Sequence, residues 1–319
     1  MSLILLAVLS LAVSAPAEPV ALRIMTFNLW IGGEAAKQPL DQTVRVIRMA
    51  RADVVGLQET GGHERNGARP DNSKKIAVQL GWSHVDQGGG RAIISRHPIV
   101  EPTPQRWGAK IALAGGGFAF VFNAHLAHAP YQPYQLFRIP YHDGPFIKTA
   151  EEAVRFARAA RGGEVESLVA EMKPALSSEL PVFLTGDLNE PSHLDWNEAA
   201  AKAGKCPLAV QWPATKAISD AGLADALRIV RPDPVQDPAH TWTPTTRLDD
   251  PKDRHDRIDF VFFAGPAKPT SVEIVGEADG RAQIVVTPYP SDHRAVVARF
   301  EISPPRASPP AAPGSPPGK

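Results

Sequence analysis

The chain sets acid, amide and imidazole side chains at the ends of apolar runs that read as strands. Asn28 closes "LRIMTFN", Glu59 closes "VVGLQE", His125 follows "FVFNA", Asp187 and Asn189 follow "PVFLT", and Asp292 and His293 precede "RAVV". Asp187 and Asn189 stand two apart, so an extended backbone turns both to the same side. Burying a carboxylate there costs several kcal/mol unless it is paired or meets a cation. Taken alone, "GDLNEPS" also fits an Asx-turn that only shapes a loop, and Glu59 alone fits a helix cap or a solvated loop residue. His125 and His128 have a spacing seen in zinc sites, yet nothing nearby completes a four-ligand set.

The elements that must position these groups are short. "ALRIMTFN", "DVVGLQE", "RAIISR", "GFAFVFNAHL", "PVFLTGD", "RIDFVFF", "TSVEIVGE" and "RAVVARFE" combine β-branched and aromatic residues between turn residues, as strands do. "LDQTVRVIRMARA" and "TAEEAVRFARAARGGEVESLVAEM" carry helical spacing. Strands and helices mixed over the whole length, with no separable linker and no internal repeat, predict one α/β domain. In "RIDFVFF", Ile258, Phe260 and Phe262 point one way and Arg257, Asp259 and Val261 the other, which sets Asp259 opposite the aromatic face. The polar residues gather where strands stop, and neighbouring strand ends in antiparallel sheets would bring them to one rim.

"TFNLW", "LQET", "GDLNEPS", "DRIDFVF" and "SDHRAV", in this order and at these spacings, resemble the endonuclease/exonuclease/phosphatase superfamily, the deoxyribonuclease-like fold. "ISRHPI" adds to the resemblance, which runs from about Arg23 to Glu301. It implies a four-layered αββα sandwich, two packed mixed and mainly antiparallel sheets flanked by helices, cleaving phosphoester bonds at one rim with a divalent cation. By that resemblance Glu59 binds the metal with help from Asn28, and oxygen donors suit Mg²⁺ first, with Mn²⁺ or Ca²⁺ as alternatives. His293 contacts the phosphate, and a carboxylate must orient its ring; strand parity favours Asp259, while Asp256 remains the competitor. Asp187 orients the water, Asn189 hydrogen-bonds a phosphoryl oxygen, and His125 serves the leaving oxygen. Asp292 either adds a second metal ligand or caps a turn.

Between His125 and Asp187, "HAPYQPYQLFRIPYHDGPF" holds Tyr131, Tyr134 and Tyr141, three of the four tyrosines, with Arg138 among them. Such a loop either overhangs the site and stacks on substrate or packs itself onto the body. Arg138 is its expected phosphate contact. Trp242 in "HTWTP" is expected beside the pocket, with core packing as the plainer alternative.

Lysines and arginines number 34, as do aspartates and glutamates, so the formal net charge is zero. That balance, with no basic stripe, disfavours tight duplex binding. Residues 1–17 hold an uncharged apolar run, Leu3 to Val13, and a small-residue site with cleavage expected after Ala17, as in an export signal, although no basic residue precedes the run. The run is too short to cross a bilayer, which needs ~20 residues. A secreted or periplasmic protein is expected, with residues 18–302 as the domain and 303–319 as a disordered proline-rich tail. Cys206, the single cysteine, leaves no intramolecular disulfide. The function expected is a metal-dependent phosphodiesterase on a small-molecule or lipid head-group substrate, acting as a monomer. A nuclease of the same fold and an inactive binding protein are the alternatives.

Overall fold

Strand β1 (Val20–Asn28) is buried at every residue from Ile24 to Asn28, because apolar layers cover both of its faces. The chain continues through α1 (Leu40–Met49), β2 (Val54–Gln58), α2 (Ser73–Leu80), β3 (Ser83–Gly88), β4 (Arg91–Ser95), β5 (Ile99–Pro102), β6 (Gly108–Ala112) and β7 (Phe118–His125). Then follow α3 (Gln132–Phe137), α4 (Ala150–Leu176), β8 (Val182–Asp187), α5 (Glu198–Lys202), α6 (Pro213–Asp220), β9 (Ala224–Asp225) and α7 (Ala226–Val230). The last strands are β10 (Asp259–Ala264), β11 (Ala267–Gly276), β12 (Ile284–Val285) and β13 (Ala295–Ile302). This computed structural model describes residues 20–279 and 281–303. The expected export signal, and the expected tail beyond Ser303, lie outside the described residues. No helix among the described residues is long and apolar enough to cross a membrane.

One sheet has seven strands in the order β12-β11-β13-β1-β2-β4-β3, and the other six in the order β5-β6-β7-β8-β10-β9. Three apolar layers separate four structural ones. Leu22, Ile24, Val54 and Phe300 of the first sheet meet Val121, Phe183 and Val261 of the second in the centre. Met25, Phe27, Val55 and Val297 face α1 and α2 on one outside. Phe122, Leu184, Phe260 and Phe262 face α4 and α6 on the other. Each such side chain contributes roughly 1.5–3 kcal/mol when fully buried. This is the expected αββα sandwich. Parity in β10 also agrees with expectation: Phe260 and Phe262 pack under helices, while Val261 faces the central layer.

The strand ends converge through parallel pairs as well as antiparallel ones. β1 and β2 run parallel, setting Asn28 beside Gln58. β7 and β8 run parallel, setting His125 beside Asp187, and antiparallel β10 sets Asp259 on the other side of Asp187. His125, Asp187 and Asp259 therefore form one row across the second sheet.

Directly beneath that row the central layer turns polar. Asn123, fully buried on β7, donates from Nδ2 to the Leu57 carbonyl at 2.9 Å and to Gln87 Oε1 at 2.9 Å. Its Oδ1 accepts from Gln58 Nε2 at 2.6 Å and from Thr185 Oγ1 at 3.1 Å. Gln58 Nε2 also reaches Thr26 Oγ1 at 3.1 Å. Gln58 precedes Glu59, Asn123 lies two residues before His125, and Thr185 two before Asp187. This network fixes the registry of one sheet on the other at the level of the site. Gly56 makes room for it: a Cβ there would lie 2.0 Å from Thr185 Oγ1 and 2.5 Å from Asn123 Oδ1.

Candidate active site

Asn28, from the end of β1, ties the two sheets' carboxylates together. Its Nδ2 donates to Asp187 Oδ2 at 2.9 Å and to Glu59 Oε1 at 3.1 Å, while its Oδ1 accepts from the Trp30 amide at 3.0 Å. Asn28, expected to assist at the metal, turns its amide nitrogen to both acids and so positions Glu59 and Asp187. The Ile31 amide donates to Glu59 Oε2 at 3.0 Å. Around that contact Trp30, Ile31 and Glu59 take φ of 54°, 53° and 51°. A β-branched residue in the left-handed region is a true outlier, and such strain is held only where surroundings over-determine it.

His293 is buried, with Nδ1 bonded to a carboxylate and Nε2 directed toward Asp187 and the cleft. Its Nδ1 lies 3.0 Å from Asp259 Oδ2, and its Nε2 lies 3.7 Å from Asp187 Oδ2 and 3.5 Å from Asn28 Nδ2. Burial works against the imidazolium, but Asp259 and Asp187 outweigh it and hold His293 well above the ordinary imidazole range. Asp259, not Asp256, is therefore the residue that orients the ring. Asp256 is a structural hub: its carboxylate accepts from Tyr131 Oη at 2.9 Å, Trp196 Nε1 at 3.2 Å and Arg254 Nε at 3.1 Å. Ser291, which local sequence gave no reason to single out, fastens the last segment: its Oγ donates to the Asn28 carbonyl at 2.7 Å and accepts from the His293 amide at 3.0 Å.

Asp187 and Asn189 form the Asx-turn that their segment allowed, with both side chains lining the cleft. The Asn189 amide donates to Asp187 Oδ1 at 2.9 Å, an Asx-turn, with Asn189 at φ 47°. Its side-chain Nδ2 also donates to the Leu126 carbonyl at 3.0 Å, leaving one amide N–H uncommitted. His125 places Nε2 3.6 Å from Asp187 Oδ2 and 4.0 Å from Glu59 Oε1.

A cation fits here by the chemistry of the donors. Glu59, Asp187 and Asp292 all line one cleft of about 510 Å³. The buried Oδ1 of Asp292 has no hydrogen-bond partner among the described residues. Burial pushes the Asp292 carboxyl up to about 6, against the pull of His293, and Glu59 adds to the rise. Carboxylate oxygens gathered in one cleft suit a hard divalent ion. Asp187, Asp259 and His293 also cluster closely enough to share an ion. In that cluster His293 Nδ1 is already taken by Asp259, whereas Asp292 Oδ1 is uncommitted beside Glu59 in the cleft.

Loops from each sheet supply one wall of the cleft. Ile31, Gly61, Arg69 and Gly90 come from the first sheet's connections, and His128, Tyr131, Tyr141, Trp242 and Ile258 from the second's. Trp242 lies between Asp256 and His293 in the backbone pairing, with its ring 6.4 Å from the His293 ring. The tyrosine loop divides its labour. Tyr131 and Tyr141 line the cleft, whereas Tyr134 does not: it packs edge-on against both and bonds through its hydroxyl to Asp253. Arg138, the expected phosphate contact, is also absent from the lining. It caps α3 at φ 59°, and its guanidinium lies over Phe146 at 5.4 Å.

The fold is shared with solved structures of low sequence identity. An endonuclease/exonuclease/phosphatase from Beutenbergia cavernae matches with a TM-score of 0.53 and 20% identity, over 89% of this chain and 72% of that one. An AP endonuclease from Archaeoglobus fulgidus matches with a TM-score of 0.55 and 16% identity, over 87% and 98%. The 3′ phosphatase NExo from Neisseria, bound to product DNA hairpin, matches with a TM-score of 0.51 and 20% identity, over 87% and 98%. In sequence, the uncharacterized protein F14F9.5 of Caenorhabditis elegans is 28% identical over 296 residues, 88% of this chain and 91% of its own length. The model of the Endonuclease/Exonuclease/phosphatase family matches residues 25–293, which takes in Asn28, Glu59, Asp187, Asp259 and His293, and the chain belongs to that family.

Proposed function

We propose that the protein is a divalent-cation-dependent phosphoesterase, a phosphodiesterase acting on a small-molecule or lipid head-group substrate. The observation that carries this reading is the joining of a buried Asp259–His293 pair to Asp187, Asn28 and Glu59 across two sheets. Mg²⁺ is the proposed ion, with Glu59 and Asp292 as its holders. When bound, it supplies Lewis-acid stabilisation of negative charge on the phosphoryl oxygens.

The chain's own groups account for the rest. His293, kept protonated by Asp259, donates from Nε2 to a phosphoryl oxygen. Asp187 Oδ2 accepts a proton from the attacking water and aligns it. The free N–H of Asn189 Nδ2 donates to a second phosphoryl oxygen. His125 Nε2 faces the same cleft and serves the leaving oxygen. The aromatic wall of Tyr131, Tyr141 and Trp242 accepts the organic part of the substrate. Among the described residues lining the cleft, Arg69 is the only lysine or arginine, which argues against a duplex groove built on many phosphate contacts. Export and a monomeric state are proposed from the sequence alone.

The test is hydrolysis of bis(p-nitrophenyl) phosphate, p-nitrophenyl phosphate, sphingomyelin and plasmid DNA with Mg²⁺, Mn²⁺ or Ca²⁺, with His293→Ala as control. Turnover of the diester or the lipid that disappears in His293→Ala supports the proposal. No turnover of any substrate with any of the ions refutes it.

A further inference from the structure

The connection after Glu59 is a small flap. Gly61 pairs with Asp71, the Gly62 amide donates to the Pro70 carbonyl at 2.9 Å, and Arg65 pairs with Ala68 at the tip. Glu34 clamps it, accepting from the His63 amide at 3.0 Å, Arg65 Nη2 at 3.0 Å and Asn72 Nδ2 at 3.1 Å. One of the flap's arginines is thus committed to a carboxylate. The other, Arg69, makes no hydrogen bond or ion pair among the described residues, yet its side chain lines the catalytic cleft. Its stem crosses Gly61: a Cβ on that glycine would meet Arg69 Cβ at 3.5 Å and Cδ at 3.7 Å. The flap therefore delivers one unpaired guanidinium to a cleft that otherwise gathers Glu59, Asp187 and Asp292. It stands on the wall of the first sheet, and the aromatic wall belongs to the second.

A guanidinium with no hydrogen bond or ion pair among the described residues, carried by a braced flap at the cleft, is suited to a planar anion brought by the substrate. The scissile phosphate already has His293, Asn189 and the cation proposed above. We propose that Arg69 binds a second anionic group of the substrate, a phosphate or carboxylate beyond the bond that breaks, so that the preferred substrate is a phosphoester with two anionic groups. This assignment rests on the phosphoesterase reading and narrows it.

Two measurements test it, with Mg²⁺ present in both. Calorimetric binding of thymidine 3′,5′-bisphosphate is compared with that of thymidine 5′-monophosphate for the wild type, Arg69→Ala and Arg69→Lys. The wild type should favour the bisphosphate, and Arg69→Ala should weaken the bisphosphate by about 10- to 100-fold while changing the monophosphate less than about threefold. Arg69→Lys should fall between. A wild type without that preference, or an equal loss for both ligands, overturns the assignment. Turnover of thymidine 5′-(p-nitrophenyl phosphate) with and without a 3′-phosphate separates the two proposals. If neither these nor the substrates tested above are hydrolysed but the Arg69-dependent binding preference persists, the hydrolase reading fails and this one stands. If both are hydrolysed and Arg69→Ala leaves their kcat/KM ratio unchanged, this one fails and the hydrolase reading stands. Arg69 is exposed and unpaired, so both variants should fold, and an unchanged Tm checks that.

Discussion

Replacing Gly56 by alanine tests whether the polar network between the sheets sets the geometry of the site. The added methyl would lie 2.0 Å from Thr185 Oγ1 and 2.5 Å from Asn123 Oδ1, far inside van der Waals contact, with β2 held between β1 and β4. Either Thr185 or Asn123 must move, and both are fully buried. Overpacking costs roughly 1–3 kcal/mol. Each buried polar atom left without its partner costs roughly 1–3 kcal/mol more, and the Asn123–Thr185 contact is the first to go. With one such atom the total is about 2–6 kcal/mol, which for a large domain lowers Tm by roughly 4–24 °C. Differential scanning calorimetry measures that directly, and urea titration supplies a second midpoint. Because Gln58 and Thr185 lead into Glu59 and Asp187, kcat/KM at 25 °C should also fall by more than the unfolded fraction explains. Removing the obstructing hydroxyl in Gly56→Ala/Thr185→Ala should restore at least half of the lost Tm. A Tm within about 2 °C of wild type for Gly56→Ala alone would refute the claim that the network is rigid.

Asp259→Asn should lower kcat/KM by about 10- to 150-fold, the loss of one charged hydrogen bond, and move the alkaline limb of the pH profile to lower pH. Asp256→Asn should cost stability and leave that limb in place, since its partners are Tyr131, Trp196 and Arg254. A divalent cation at about 100 times its Kd should stabilise the fold by ~2.7 kcal/mol, visible as a Tm rise of roughly 5–11 °C that EDTA reverses and Glu59→Gln abolishes; an equal rise in Glu59→Gln would place the ion elsewhere. Burial, with Arg254 and His255 nearby, pushes His240 from 6.5 down to about 3. The folded state therefore resists a proton that the unfolded chain accepts, so this contribution is intact above pH 6.5 and lost as pH falls from there. By pH 5 the cost is about 2 kcal/mol, and His240→Gln should shrink the urea-midpoint difference between pH 7 and pH 5 accordingly.

What could be read in the sequence was whatever a strand's parity or end reveals. Phe260 against Asp259 is a period-two statement, and it favours the carboxylate that lies 3.0 Å from His293 Nδ1. Asn28, Glu59, His125, Asp187, Asn189 and His293 were legible as polar residues where apolar runs stop. Side-chain partnerships across the sandwich were not. Asn123 lies 65 residues from Gln58 and 62 from Thr185, and nothing local to "FVFNAH" announces such partners. Ser291 reaches back 263 residues to the Asn28 carbonyl. Arg138 and Arg69 show the same limit from the other side. Position beside aromatics favoured Arg138, but the direction of a side chain at a helix cap or on a flap depends on backbone dihedrals that composition does not encode.

The division of the site between two sheets explains why so much of its support is polar. A hydrophobic layer resists separation of the sheets but only weakly resists sliding, because apolar contact is non-directional. Glu59 and Asn28 belong to one sheet, while Asp187, Asp259 and His125 belong to the other, so a slide of even 1 Å would break the 2.9 Å contact from Asn28 to Asp187. Directional bonds at Asn123, Gln58 and Thr185 prevent that motion just below the site. At the site itself the 3.0 Å contact from His293 to Asp259 of β10 crosses between the sheets, and Ser291 fixes the His293 segment on the end of β1. The strained turn is supported differently. Trp30 and Ile31 follow β1 and Glu59 follows β2, neighbours in one sheet, so the Ile31 amide meets Glu59 Oε2 without crossing between sheets. The bond from Asn28 to Asp187 carries that corner across to the second sheet.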